Sequence, residues 1–334
     1  MQHSSKKKDN EVSFKQPAAA QPPTKYTLAF VRYSLQTLWL LTVSDIGTFV
    51  VPGTAFGMFG ALAGPLLTTS DSPDLFEILG RLPLVFLWNF AYLCIFTLAN
   101  QRLPESVLED SLNKPWRPLP SGRLTIIGTR RILLAALPVV LTINYLLGAW
   151  EETALLFCLT WMYNDLKGGD EDFILRNLII SGAFFLYNKG SLKVASGPNY
   201  NTPLPRTWLW LSIVSGVIFT TMHVQDMADQ EGDGAKGRRS APIVLGDRTA
   251  RWTVAIPTAI WAVVCPLFWR MGPVGYIVPV GLGFYIVGRE LWLQNPVADK
   301  KTWHYWCLWT ACLYVLPLAK DPRAFSLFLK AHSI

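Results

Sequence analysis

Charge is scarce in this sequence. Asp, Glu, Lys and Arg make up 16% of its 334 residues, while 51% are hydrophobic and mean hydropathy is +0.28. Soluble domains carry about 25% charged residues, so an ordinary water-soluble fold is excluded. Cysteine is few and unpatterned. Cys94, Cys158, Cys265, Cys307 and Cys312 lie within or beside apolar blocks, and none forms a CxxC or a Cys/His metal pattern. That rules out a disulfide framework and leaves small buried hydrophobes. The first 25 residues lack the apolar core of a signal peptide. They also lack arginine and contain Asp9 and Glu11, which disfavours a mitochondrial presequence. No basic soluble module with interleaved aromatics is present, so the net charge of +7 does not indicate nucleic-acid binding. Anionic lipid headgroups and a phosphorylated substrate fit that charge better.

The sequence does contain long apolar blocks, many near the ~20 residues needed to cross the hydrocarbon core of a bilayer. They predict an all-α integral membrane bundle whose helices satisfy their own backbone hydrogen bonds in lipid. Nine spans are expected, at about 46–68, 82–100, 127–149, 150–165, 174–195, 207–225, 252–270, 273–293 and 303–319. Residues 1–30 read as a disordered cytosolic tail and 31–334 as one transmembrane catalytic domain. Trp39, Trp150, Trp208, Trp210, Trp252, Trp269, Trp303 and Trp306 fall near predicted span ends, as an interfacial belt would. The loop after span two carries Arg102, Lys114, Arg117, Arg123, Arg130 and Arg131. The loop after span six carries Lys236, Arg238, Arg239, Arg248 and Arg251. This bias places both loops and the tail on the cytosolic side.

Those two loops also hold the acids. In "HVQDMADQEGDGAKGRRSAP", Asp226, Asp229 and Asp233 are spaced i, i+3, i+7. If span six continues as a helix, they share one face. Three close carboxylates repel one another unless a cation joins them. Mg²⁺ takes oxygen ligands, often one or two carboxylates with substrate phosphates. The row therefore predicts a metal-mediated diphosphate site, with Lys236, Arg238 and Arg239 for phosphate oxygens. A solvated cap would explain alternating charges, but not three aspartates at helical spacing followed by glycine and cations. The other loop, "LANQRLPESVLEDSLNKPWRPLPSGRLT", pairs Glu105 with Glu109 at i, i+4 and adds Asp110. Asn100 precedes them, and Asn113, Lys114, Arg117 and Arg123 follow in a proline-stiffened turn. The two loops suggest a pseudo-symmetric site in which each holds Mg²⁺ on one side of a shared diphosphate.

Together the loops resemble the two aspartate-rich motifs of the UbiA superfamily of intramembrane prenyltransferases. The resemblance runs from about span one to span nine. It implies nine transmembrane helices around a lipid-accessible central cavity and a Mg²⁺-bound isoprenyl diphosphate as substrate. It also implies metal-binding and catalytic roles for Asp226, Asp229 and Asp233, and diphosphate binding by Asn100, Lys114, Arg117, Arg123, Lys236, Arg238 and Arg239. The first motif departs from the family pattern. Where acids are usual after Asn100, this chain has Gln101, Pro104 and Leu108, and its acids sit one place later. The carry-over there falls on Glu105, Glu109 and Asp110.

With "TLWLLTVSDIGTFVVPGTAFG" and "YNDLKGGDEDFILRN", the variant motif is similar to a fungal branch that includes membrane-bound terpene cyclases of the UbiA type. This branch implies cyclisation of farnesyl diphosphate to a sesquiterpene in secondary metabolism, in the endoplasmic reticulum. One alternative is transfer of the isoprenyl group to an aromatic or polyketide acceptor. A non-enzymatic transporter or lipid-binding protein is a third, disfavoured because the acids cluster in two loops at one face. Candidate aromatics for an allylic cation include Phe49, Phe56, Phe59, Trp88, Phe90, Tyr92, Phe157, Trp161, Tyr163, Phe184, Phe185, Tyr187 and Phe219. Asn89 and Asp45 are polar residues in apolar surroundings, which makes them functional candidates. The acids and Lys167 between Asp165 and Asp172 read equally as a solvated cap or a lid.

Overall fold

The computed structural model describes residues 23–24, 27–197 and 204–323. Among these residues no strand is present. Fifteen helices follow in order: α1 (Leu28–Ile46), α2 (Val50–Leu62), α3 (Leu75–Gly80), α4 (Leu82–Gln101), α5 (Pro104–Asn113), α6 (Ile126–Leu146), α7 (Trp150–Asn164) and α8 (Gly168–Glu171). Then come α9 (Phe173–Ser196), α10 (Pro205–Thr221), α11 (Gln230–Lys236), α12 (Ala241–Leu245), α13 (Asp247–Phe268), α14 (Val274–Trp292) and α15 (Pro296–Lys320).

Each of the nine expected spans overlaps an α-helix, but α2 has only 13 residues and α7 only 15, and the start of the bundle differs from the sequence reading. A helix already runs from Leu28, capped by Thr27 Oγ1, which accepts from the Phe30 amide at 3.2 Å. It then bends by 65° into α2. Apolar patterning missed α1 because Arg32, Ser34, Gln36, Ser44 and Asp45 dilute it. Most of the expected tail over 1–30 lies outside the described residues. Among the described residues, five segments are long and apolar enough to cross a membrane: Leu75–Gln101, Ile126–Leu146, Pro205–Met227, Asp247–Phe268 and Val274–Trp292. The bent pair makes six. α7, with 15 residues, is too short for that test.

The burial pattern suits lipid on the outside. The most apolar stretch of α6 is only 11% buried within the protein and that of α14 only 22%, against 56% in α4 and α10. α6 and α14 thus present apolar side chains outward, where only hydrocarbon can accept them at low cost. The tryptophan belt holds in part. Trp39, Trp150, Trp208 and Trp252 are exposed, whereas Trp210, Trp269 and Trp306 are buried. Trp210 packs edge-on against Trp269 at 5.3 Å, and Trp306 Nε1 donates to Thr221 Oγ1 at 2.9 Å. These three are core residues because an indole fills a large interior volume when packing partners surround it. All five cysteines are free thiols.

α2, α4, α7 and α9 enclose the interior beneath the two charged loops. Their ends on that side carry the site.

Candidate active site

The first charged loop opens with α5. Pro104 starts the helix at a position where its missing N–H costs nothing. One face then buries Ser106, Val107, Glu109 and Asp110. The second loop does not continue span six as one helix. α10 ends at Thr221, a 3-10 turn covers Met222–Met227, and α11 begins only at Gln230. The expected single face of aspartates is therefore broken into steps: Asp226 lies in the 3-10 turn, Asp229 caps α11 and Asp233 lies within it. Backbone bonds link the steps, from Asp229 N to Asp226 O at 3.3 Å and from Asp233 N to Asp229 O at 3.0 Å. Gly-Asp-Gly within the loop and Gly237 at a left-handed φ of 78° explain the early termination of α11.

The two loops dock on each other. A Cβ on Gly232 would lie 2.2 Å from Asn113 Nδ2, so any side chain there would displace the Asn113 amide from its place between the loops. Asn113 Nδ2 donates to Asp229 O at 3.2 Å, and Lys236 Nζ to Ser106 Oγ at 3.1 Å.

Each of the expected site acids faces a cation. Arg238 donates to Glu109 Oε1 at 2.7 Å, Asp233 Oδ1 at 2.8 Å and Asp170 Oδ1 at 2.9 Å. Lys236 Nζ lies 3.2 Å from both Glu109 Oε2 and Asp170 Oδ1. Arg117 holds Asp110 at 2.9 Å and Asp45 at 2.8 Å, and Lys114 holds Asp229 at 3.2 Å. Arg176 Nη2 meets Asp226 Oδ1 at 2.9 Å. Burial opposes ionisation of Glu109, yet Arg238, Lys236 and Lys114 outweigh it and lower its pKa to about 2. Arg238 is correspondingly held well above its ordinary value: burial opposes its charge, but Glu109 and its other partners prevail.

These groups surround a chamber of about 70 Å³ lined by Asp45, Phe49, Phe96, Asn100, Glu109, Lys114, Arg117, Tyr163, Arg176, Ile180, Met222, Gln225, Asp229 and Arg238. Six expected site residues line it: Asn100, Glu109, Lys114, Arg117, Asp229 and Arg238. Asp110, Asp226, Asp233 and Lys236 stand behind them through the ion pairs above. Three stand apart. Glu105 is paired with Lys167 at 2.9 Å and is substantially exposed. Arg123 covers the Tyr33 ring at 4.1 Å and bonds Tyr33 O. Arg239 is exposed, and its backbone amide bonds Asp170 O at 3.1 Å.

Arg176 and Phe96 join the lining without having been singled out in the sequence. Arg176 had a signal, since it is a cation just inside a predicted span. Asp45 and Asp170 had stood as a polar candidate and as part of a possible lid. Phe96 had no signal, being one aromatic among many.

Below the chamber lies a narrow apolar compartment, a cavity of about 30 Å³, lined by Phe49, Tyr92, Phe96, Leu159, Thr160, Tyr163, Ile179, Ile180, Ala183 and Tyr187. Phe49, Phe96, Tyr163 and Ile180 belong to both linings. Their rings interlock, with Phe49 5.6 Å from Phe96 and Phe96 5.8 Å from Tyr163. Charge thus gives way to aromatic surface across a single neck. Four of the aromatics expected to face a cation line the apolar compartment: Phe49, Tyr92, Tyr163 and Tyr187. Trp161 is exposed instead.

A Mg²⁺ ion would meet a hard-oxygen donor set here. Among the described residues no three acidic, His or Cys side chains converge tightly enough to cage a metal by themselves. Mg²⁺ needs no such cage, because waters and substrate phosphates complete its shell. Two acceptors are left over: Asp226 Oδ2 and Asp233 Oδ2 are buried without a hydrogen-bond partner. The residues present therefore fit the ion.

Comparison with known proteins agrees with this arrangement. The model of the UbiA prenyltransferase family matches residues 57–311. The chain is 30% identical over 289 residues to diterpene cyclase eriG of Hericium erinaceus, covering 83% of this chain and 85% of that protein. It is 29% identical over 291 residues to polyprenyl transferase eriF of the same organism, covering 83% and 92%. Among solved structures, a UbiA homolog from Archaeoglobus fulgidus bound to DMAPP and Mg²⁺ shares the fold. Its TM-score is 0.61 at 14% identity, over 86% of this chain and 99% of that one. The chain is an integral membrane enzyme and belongs to the UbiA prenyltransferase family.

Proposed function

We propose that the protein is a Mg²⁺-dependent class I terpene cyclase that ionises farnesyl diphosphate and cyclises it to a sesquiterpene. The observation that carries this reading is the single neck at Phe49, Phe96, Tyr163 and Ile180, which joins a charged chamber to an apolar one. A molecule with a polyanionic head and a hydrocarbon tail matches that division.

Asp226, Asp229 and Asp233 on one side, and Glu109 and Asp110 on the other, would hold Mg²⁺. Glu105, at the rim, is the remaining first-motif candidate. When bound, the ion supplies Lewis-acid stabilisation of charge on the departing diphosphate. Lys114, Arg117, Arg176 and Arg238 bind diphosphate oxygens and stabilise the same charge from fixed positions. Lys236, Arg123 and Arg239 reinforce the positive field around the mouth. Asn100 contributes an oriented amide, fixed by its bond to Asn164 Oδ1 at 2.9 Å. The breaking C–O bond lies at the neck, where the faces of Phe49, Phe96 and Tyr163 stabilise the allylic cation. The apolar walls exclude water that would quench that cation as an alcohol.

The lining of the apolar compartment contains no charged residue. This supports attack by the chain's own alkene rather than by a polar acceptor. The likeness to a polyprenyl transferase supports the other reading, in which an aromatic or polyketide acceptor takes the isoprenyl group. We place the protein in the endoplasmic reticulum membrane with the two loops cytosolic. Protease resistance of an N-terminal tag in intact microsomes would contradict that orientation.

The deciding experiment supplies membranes containing the protein with farnesyl diphosphate and Mg²⁺ but no acceptor, and analyses volatiles by gas chromatography–mass spectrometry. A cyclic sesquiterpene absent from an Asp229→Ala control supports the cyclase. No hydrocarbon without an acceptor, but a prenylated product with one, moves the assignment to the transferase.

A further inference from the structure

The apolar compartment ends in a built floor. Along α4, Asn100 lies in the chamber, Phe96 at the neck and Tyr92 below it. Along α9 the same descent runs from Arg176 through Ile180 to Tyr187. From Ile180 to Tyr187 is seven residues, or roughly 10 Å of helix. The Tyr92 and Tyr187 rings meet edge-on at 5.3 Å. Both hydroxyls are anchored: Tyr92 to Thr160 Oγ1 at 2.8 Å, and Tyr187 by donating to the Asn89 carbonyl.

Beneath the rings the helices close. A Cβ on Gly53 would lie 2.6 Å from Asn89 Oδ1 and 2.8 Å from Tyr187 Cδ1, so α2 presses against this layer with no space to spare. Asn89 is fully buried, bonding Thr54 Oγ1 at 3.2 Å and accepting from Ser191 Oγ at 2.9 Å. A chain that reaches the tyrosines has no room to continue below them.

We propose that Tyr92 and Tyr187 set the longest prenyl chain this cavity accepts, admitting farnesyl and rejecting geranylgeranyl. The proposal rests on the reading of the cavity as an isoprenyl diphosphate site. Tyr187 supplies the bulk, while its hydroxyl and that of Tyr92 hold the rings across the exit. Ala183, on the wall one turn above Tyr187, leaves the space that the tail occupies.

The test measures diphosphate release by the full-length enzyme with geranyl, farnesyl and geranylgeranyl diphosphates. Wild type should favour farnesyl over geranylgeranyl by at least about tenfold in kcat/KM, a discrimination of about 1.4 kcal/mol. Tyr187→Ala should shift that ratio at least about tenfold toward geranylgeranyl. Tyr187→Phe, which keeps the ring but loses its anchor, should shift the ratio several-fold less than Tyr187→Ala does. Truncating a buried ring also removes packing, so Ala183→Phe serves as an independent test. It fills the compartment and should shift preference from farnesyl toward geranyl by a similar factor.

Wild-type preference for geranylgeranyl overturns the floor, as do ratios unchanged in both Tyr187→Ala and Ala183→Phe while wild type turns over farnesyl diphosphate. Wild type that releases diphosphate from none of the three overturns the reading of the site itself, and the floor with it.

Discussion

Arg176 and Asp226 are both buried, and Arg176 Nη2 donates to Asp226 Oδ1 at 2.9 Å. The pair ties the start of α9 to the 3-10 turn that follows α10. It leaves Asp226 Oδ2 without a partner. Removing one member of such a buried pair strands a charge, at a cost of about 3–5 kcal/mol. Arg176→Ala should therefore lower both folded yield and activity. Arg176→Lys keeps the charge but loses the planar fork. It should fold, and its kcat/KM should fall at least about tenfold. Near-wild-type kinetics in folded Arg176→Lys would remove Arg176 from the diphosphate site.

The acids of the second motif should be needed for turnover more than for folding. Asp229→Asn, at the chamber wall, should cut kcat by about 100-fold or more with a normal gel-filtration profile. Excess EDTA should abolish wild-type activity and added Mg²⁺ should restore it. Activity that persists in EDTA rules out the metal-dependent route.

Glu109 and Glu105 should differ. Glu109 faces the chamber and meets Arg238 and Lys236, whereas Glu105 pairs with Lys167 at the rim. Glu109→Gln should lose at least about tenfold more kcat/KM than Glu105→Gln. The reverse order would assign the first-motif role to the outer acid.

Glu109 also predicts a pH effect on stability in the metal-free protein. Its pKa is lowered from an ordinary 4.5 to about 2. Its ionised form therefore stabilises the fold at all pH values above about 4.5. That stabilisation is lost as pH falls through the interval down to about 2, and is worth about 3 kcal/mol at most. Melting temperatures in detergent and EDTA should show the advantage of wild type over Glu109→Gln shrinking between pH 5 and pH 2. A constant difference across that range contradicts the assignment.

The sequence carried the architecture well where apolar blocks were uninterrupted, as in α4, α6, α13 and α14. It failed at α1, where polar residues on a bent, partly packed helix hid the apolar pattern. Site residues were legible where charge was out of place, since Glu109, Asp229, Lys114 and Arg238 stand out in an oily chain. Their partners were less so. Arg176 lies 50 positions from Asp226, and Asp45 lies 72 from Arg117. Spacing reports only neighbours along one element, and those contacts are made across the bundle. The break in the helix between Asp226 and Asp233 was hidden as well, because an i, i+3, i+7 pattern assumes a regular helix, whereas a 3-10 turn over Met222–Met227 separates α10 from α11.

One consequence follows from the pairing in the chamber. Asp45, Glu109, Asp110, Asp170, Asp226, Asp229 and Asp233 outnumber Lys114, Arg117, Arg176, Lys236 and Arg238 there. An added polyanion alone would deepen that imbalance, and an added dication alone would compete with bonded side chains for its ligands. On the proposed chemistry, each therefore favours the arrival of the other. Thermodynamic reciprocity requires that the factor by which Mg²⁺ tightens the diphosphate equals the factor by which the diphosphate tightens Mg²⁺. The enzyme would then be idle when either runs short, with no separate regulatory site.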